Sequence, residues 1–156
     1  MIRGYKAYKK GLINQFGEHH EVGHTYKTDS ISYEKSGFYF CPDLEDTLRF
    51  YDGFKEEIDI AIVEGSGETR EFFDEYNETT SIAATELHVL SIMTREEIIE
   101  YALGLNEVRL KKFLAGFPLT EEEMQLFDQK GNFYKQLVDY FQRGDKSAFD
   151  IKPKKR

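Results

Sequence analysis

Four histidines, one cysteine and a dense run of carboxylates are the residues of this chain best equipped for chemistry. His19, His20 and His24 lie close together beside Glu18 and Glu21, with His88 far away in sequence. Zinc asks for three or four such ligands on a rigid frame, and two histidines four apart share one ion only when local geometry holds them. The stretch from Gly17 to Gly23 is polar and reads as a loop, without zincin spacing or a cysteine partner. These histidines are expected at the surface, and no metal is assigned to them. Cys41 would need an electropositive, partly exposed setting to act as a nucleophile, with His19, His20, His24 or His88 as its base. It instead follows Phe38-Tyr39-Phe40 and precedes the most acidic stretch, so a buried structural thiol is expected. Gly65-Ser66-Gly67-Glu68 lacks the lysine of a phosphate-binding loop and the third glycine of a dinucleotide fingerprint, and reads as a hairpin turn.

The carboxylates are unevenly placed. Of 29 acidic residues, thirteen fall within 43–78 against only Arg49, Lys55 and Arg70, a local net charge of −10. Residues 1–42 carry +2 and residues 79–156 are neutral, so this one stretch sets the overall −8. Like charges so concentrated repel unless solvent or a partner screens them. The ligand order of a calcium-binding EF-hand loop is missing here. The stretch is therefore a candidate contact surface for a basic partner, with Asp43, Glu45, Asp46, Glu56, Glu57, Asp59 and Glu64 as its binding residues. Net negative charge argues against direct nucleic-acid binding.

The elements that must position these groups change character along the chain. Ile2–Tyr8 opens as a strand, Val22–Tyr26 is a second short one, and Gly37–Cys41 is a compact aromatic third. Pro42 and the acids after it suit a helix start, and Leu44, Leu48 and Tyr51 give that short helix one buried stripe up to Gly53. Ile58, Ile60 and Ile62 alternate with Asp59, Ala61 and Val63, a half-buried strand expected to end at Gly65. The acidic, aromatic segment 68–80 is left open between loop and helical turn, and Ser81–Met93 reads as a further strand. From Thr94 the period becomes helical: Thr94 with Glu97 and Thr120 with Glu123 form capping boxes, and Asn106 is a third cap. Leu137, Val138, Tyr140 and Phe141 mark a last amphipathic helix. The fold class is α+β: a small, mostly antiparallel sheet with one short helix over 1–93, then a helical region over 94–152 packed on it or on a second copy. Residues 153–156 form a basic tail expected to fray. No apolar stretch approaches the roughly 20 residues of a membrane span, and one cysteine excludes a disulfide framework, so a cytoplasmic protein is expected.

Gly4-Tyr5-Lys6-Ala7-Tyr8, Val22-Gly23-His24-Thr25-Tyr26 and Ser36-Gly37-Phe38-Tyr39-Phe40-Cys41-Pro42, with the helix to Tyr51, resemble an uncharacterised domain common in phages and prophages. The resemblance covers about the first 65 residues. It implies a phage or mobile-element origin and a site of action in the host cytoplasm, and carries no activity with it. Gly37-Phe38-Tyr39-Phe40 followed by a helix is also similar in order to some ADP-ribosyltransferases. That likeness implies NAD as cofactor, Tyr5 or Tyr39 stacked on nicotinamide, and Glu64 or Glu86 polarising the ribose. The opening strand has no His-Gly pair, and no Ser-Thr-Ser run follows. The reading that emerges is a non-enzymatic, phage-type protein that binds a host protein's basic surface, in a counter-defence or DNA-mimic role. The NAD-dependent enzyme is the alternative.

Overall fold

The computed structural model describes residues 1–32 and 35–149; the basic tail expected at 153–156 lies outside them. The chain divides into two compact units, Met1–Thr94 and Arg95 onward. Strands occupy the first and helices the second, apart from a single helical turn in the sheet unit.

Five strands build the first unit: β1 (Ile2–Lys9), β2 (Thr25–Lys27), β3 (Phe38–Phe40), β4 (Ile58–Asp74) and β5 (Thr79–Ile92). All pairings are antiparallel, in the order β1-β4-β5-β2, with β3 beside β2 on the same edge of β5. The expected break at Gly65-Ser66-Gly67 does not occur. β4 runs through it as a bulge, because Gly67 adopts a φ of 77° and the Glu68 amide donates to Thr85 Oγ1 at 2.9 Å. The hairpin lies further on, at residues 75–78, where Asp74 Oδ1 accepts from the Tyr76 and Asn77 amides at 3.0 and 3.2 Å. Segment 68–80 is thus mostly strand.

The sheet curls until β3 meets β1. Tyr5 and Cys41 exchange backbone hydrogen bonds of 2.7 and 2.8 Å, so β3 touches β5 on one side and β1 on the other. Such closure demands close backbone approach at its seam. Gly4 and Gly65 provide it, since a Cβ at either position would stand 2.7 or 2.5 Å from the Phe40 ring. Inside lie the inward-facing strand residues Tyr8, Phe40, Ala61, Val63, Ile82, Leu87 and Val89, joined by Leu12 from the turn after β1. The helix expected to reach Tyr51 is shorter than its apolar stripe suggests: α1 spans Leu44–Thr47, and turns follow.

The second unit holds α2 (Arg95–Leu103), α3 (Glu107–Gly116), α4 (Glu121–Asp128), α5 (Asn132–Phe141) and a final 3₁₀ turn, Lys146–Phe149. Asn106 caps α3 by accepting from the Arg109 amide, and Thr120 with Glu123 forms a reciprocal capping box on α4. Leu110, Phe113, Leu114, Phe127, Leu137 and Val138 are buried. Gln142 donates to the Leu114 and Phe117 carbonyls, which have no helical partner at the end of α3. Among the described residues no helix is long and apolar enough to cross a membrane.

Candidate functional site

The single Tyr5–Cys41 bridge decides where the sheet unit opens. An antiparallel ladder would next pair Ala7 with Tyr39, but among the described residues that bridge is not made, and β1 and β3 part. The Tyr39 carbonyl is taken instead by the Lys6 ammonium, which donates to it at 2.7 Å. Where the strands part lies a cavity of about 470 Å³, bounded also by the residues after α1 and by the β4–β5 hairpin.

Six of its fourteen lining residues are aromatic: Tyr39, Phe40, Phe50, Tyr51, Phe72 and Phe73. Tyr39 on β3 and Phe72 on β4 flank β5 on its two edges with ring centroids 6.4 Å apart, and the Tyr39 hydroxyl donates to the Ser32 carbonyl. Phe50 and Phe73 are about half exposed or more, at 48% and 60%, though both line the cavity. Arg49 and Asp74 bridge two elements of the wall at 3.1 Å, and the Arg49 guanidinium lies 4.7 Å from the Phe50 ring centroid.

Two polar side chains in this wall are incompletely satisfied. Lys6 is only 5% exposed, and burial pulls its pKa down to about 8, with Cys41 acting in the other direction. Its nitrogen lies 5.4 Å from the Tyr8 ring centroid, and among the described residues it forms no ion pair with a carboxylate. The Tyr51 hydroxyl oxygen is buried with no hydrogen-bond partner, and burial followed by the Glu56 charge raises its pKa. Cys41 also lines the cavity. Burial, then Asp46, pushes its thiol up to about 12, which leaves it protonated at neutral pH.

The acidic stretch does not form a single face. Glu45 and Asp46 are buried, and Asp46 Oδ2 accepts from the Thr80 amide at 3.4 Å. Asp59 accepts from the Gly11 and Leu12 amides, Glu64 pairs with Arg3 at 2.8 Å, and Glu57 pairs with Lys10 at 2.9 Å. Asp43 precedes α1 at its N-cap position, and Glu56 is exposed. Of the four residues suggested by the ADP-ribosyltransferase likeness, only Tyr39 lines the cavity. Register puts Tyr5, Glu64 and Glu86 on one face of the sheet, through the pairs Arg3–Glu64 and Ser66–Glu86.

His20 corrects another expectation. It is buried, stacked on Tyr26 at 4.0 Å, and its Nδ1 lies 2.8 Å from the Tyr8 hydroxyl. Burial, then the Lys6 charge, pulls its pKa down to about 4. It anchors the 12–24 loop to the core. His88 Nδ1 lies 2.8 Å from Thr25 Oγ1, and among the described residues no group of three His, Cys, Asp or Glu could hold a metal ion.

Sequence reasoning missed Lys6, Arg49, Tyr51 and Phe72. One signal was available: Ile2, Gly4, Lys6 and Tyr8 share one face of β1, so the pattern puts a lysine where the alternation demands an inward residue.

The model of a family described as a domain of unknown function (DUF7666) matches residues 2–101, and the chain belongs to that family. No curated protein and no solved structure matched it.

Proposed function

We propose that the sheet unit of this family member is a binding module for a small aromatic molecule, taken up where β1 and β3 part. The observation that carries this reading is the cavity itself: about 470 Å³, with six aromatic side chains and a few fixed polar groups in its wall. Ligand sites typically measure about 300–1,000 Å³ and have this composition. The role is non-catalytic. The thiol at the wall is protonated, and Asp74, the carboxylate among the described lining residues, is held by Arg49. Amide-resolved NMR during titration with one- and two-ring aromatics tests it. Saturable shifts are expected at residues 39–51 and 72–81 and are lost in Phe72→Ala. Shifts that fail to saturate, or that map elsewhere, overturn the reading.

A second reading, contact with another protein, is favoured by a different observation. Phe54 is 48% exposed and Tyr76 94% exposed, both within the acidic stretch. On the phage-domain resemblance, the partner is a host protein with a basic surface, met by Glu56 and its exposed neighbours.

A further inference from the structure

The cavity wall carries one positive charge that the fold leaves unmatched. Arg49 and Asp74 neutralise each other, and Asp46 acts on the Cys41 thiol rather than on Lys6. Lys6 is left buried with a carbonyl and an aromatic ring for company. A buried ammonium is costly unless an opposite charge reaches it, because desolvation is repaid only by close pairing. One of its three donors is committed to Tyr39; an ammonium has two more to offer. The buried Tyr51 hydroxyl, without a partner, is a second independent observation in the same wall, since a buried polar atom normally has a hydrogen-bond partner.

Resting on the proposed binding role, we infer that the occupant is an aromatic monocarboxylic acid, whose carboxylate supplies the missing counter-charge of Lys6 and whose ring system lies among Tyr39, Phe40 and Phe72. The unmatched charge is a single one, which favours a monoanion over a phosphate dianion. A carboxylate has lone pairs enough to accept from the ammonium and from a second donor, and Tyr51 lines the same cavity. Imine formation with an aldehyde would instead need the free amine. At neutral pH Lys6 is mostly protonated and already donates to Tyr39, so non-covalent anion recognition is the better match.

The test is calorimetric titration of the full chain at pH 7 with 2-naphthoate, its neutral analogue 2-naphthamide, and 2-naphthyl phosphate. The acid is expected to bind at least tenfold more tightly than the amide and more tightly than the phosphate. Lys6→Met should abolish the preference for acid over amide while retaining amide binding, and Tyr51→Phe should weaken the acid severalfold. The wild-type comparison decides the matter even if Lys6→Met does not fold. Equal binding of acid and amide overturns the inference and leaves the binding role standing. Tighter binding of the phosphate overturns the monoanion assignment. No binding of any of the three overturns both.

Discussion

Two cations, one in each unit, show opposite solutions to the same physical problem. Arg143, just after α5, donates to Asp128 at 2.8 and 3.2 Å, to Asp139 at 2.7 Å and to Glu121 at 3.1 Å. It ties both ends of α4 to α5, and these hydrogen bonds raise its pKa, Asp128 contributing most. Lys6 is more deeply enclosed, yet burial pulls its pKa down, because among the described residues no carboxylate pairs with it. The fold completes one cation with its own side chains. It leaves the other, among the described residues, with a backbone carbonyl and no carboxylate. A charge that the fold itself satisfies is a structural device, whereas one it buries without compensation points to a partner from outside.

The largest effect that would sharpen this contrast is the acid response of the two units. The folded pKa of His20, about 4, lies below its ordinary value of 6.5, so the unfolded chain binds the extra proton first. The stability tied to neutral His20 is therefore complete above about pH 6.5 and is lost as pH falls towards 4, a total of about 3 kcal/mol. In the helical unit the hydrogen bond from Arg143 holds the Asp139 pKa below its ordinary 3.8, so that contribution persists until pH falls below about 4. Amide exchange followed from pH 7 to 4 is expected to show protection falling in β1 and β2 before α4 and α5. Simultaneous loss, or helices opening first, would break the comparison.

Substitutions of the two cations should have opposite signs. Arg143→Met leaves Asp128 and Asp139 facing each other without their shared donor, and should cost about 2 kcal/mol. Lys6→Met replaces an enclosed charge by an apolar side chain of similar length, and should raise stability by about 1 kcal/mol in the ligand-free protein. Chemical denaturation measures both. A destabilised Lys6→Met would mean that the bond to Tyr39 outweighs desolvation, and would place Lys6 with the structural cations.

The smallest effect concerns a charge neither enclosed nor clamped. Glu56→Gln should change stability by no more than about 0.5 kcal/mol, whereas Asp59→Asn should cost about 1 kcal/mol by weakening acceptance from the Gly11 and Leu12 amides. On the protein-contact reading, Glu56→Gln alone should weaken capture of a basic partner severalfold in a pull-down. Undiminished capture would remove Glu56 from that surface.

How legible all this was from the residues follows from the range of each interaction. The change from strand to helix after residue 93 was written in local periodicity, and the Thr120–Glu123 box and the Asn106 cap were fixed by residues three apart. Local pattern ends this strand at Gly65, whereas β4 continues, because a glycine marks a bulge as readily as a turn and only the bond to Thr85 shows which. Charge density along 43–78 was equally visible, but an alternating strand sends successive carboxylates to opposite faces, and Glu45 and Asp46 turned inward. Sequence by itself determined the fold class, the caps at Asn106 and Thr120 and the buried thiol, because propensity, capping and apolar period act over a few residues. The cavity was decided by tertiary structure alone. It exists because β1 and β3, about 30 residues apart in the chain, meet at Tyr5 and Cys41 and then part, leaving Lys6 inside without a counter-charge. No local pattern encodes where two distant strands stop pairing.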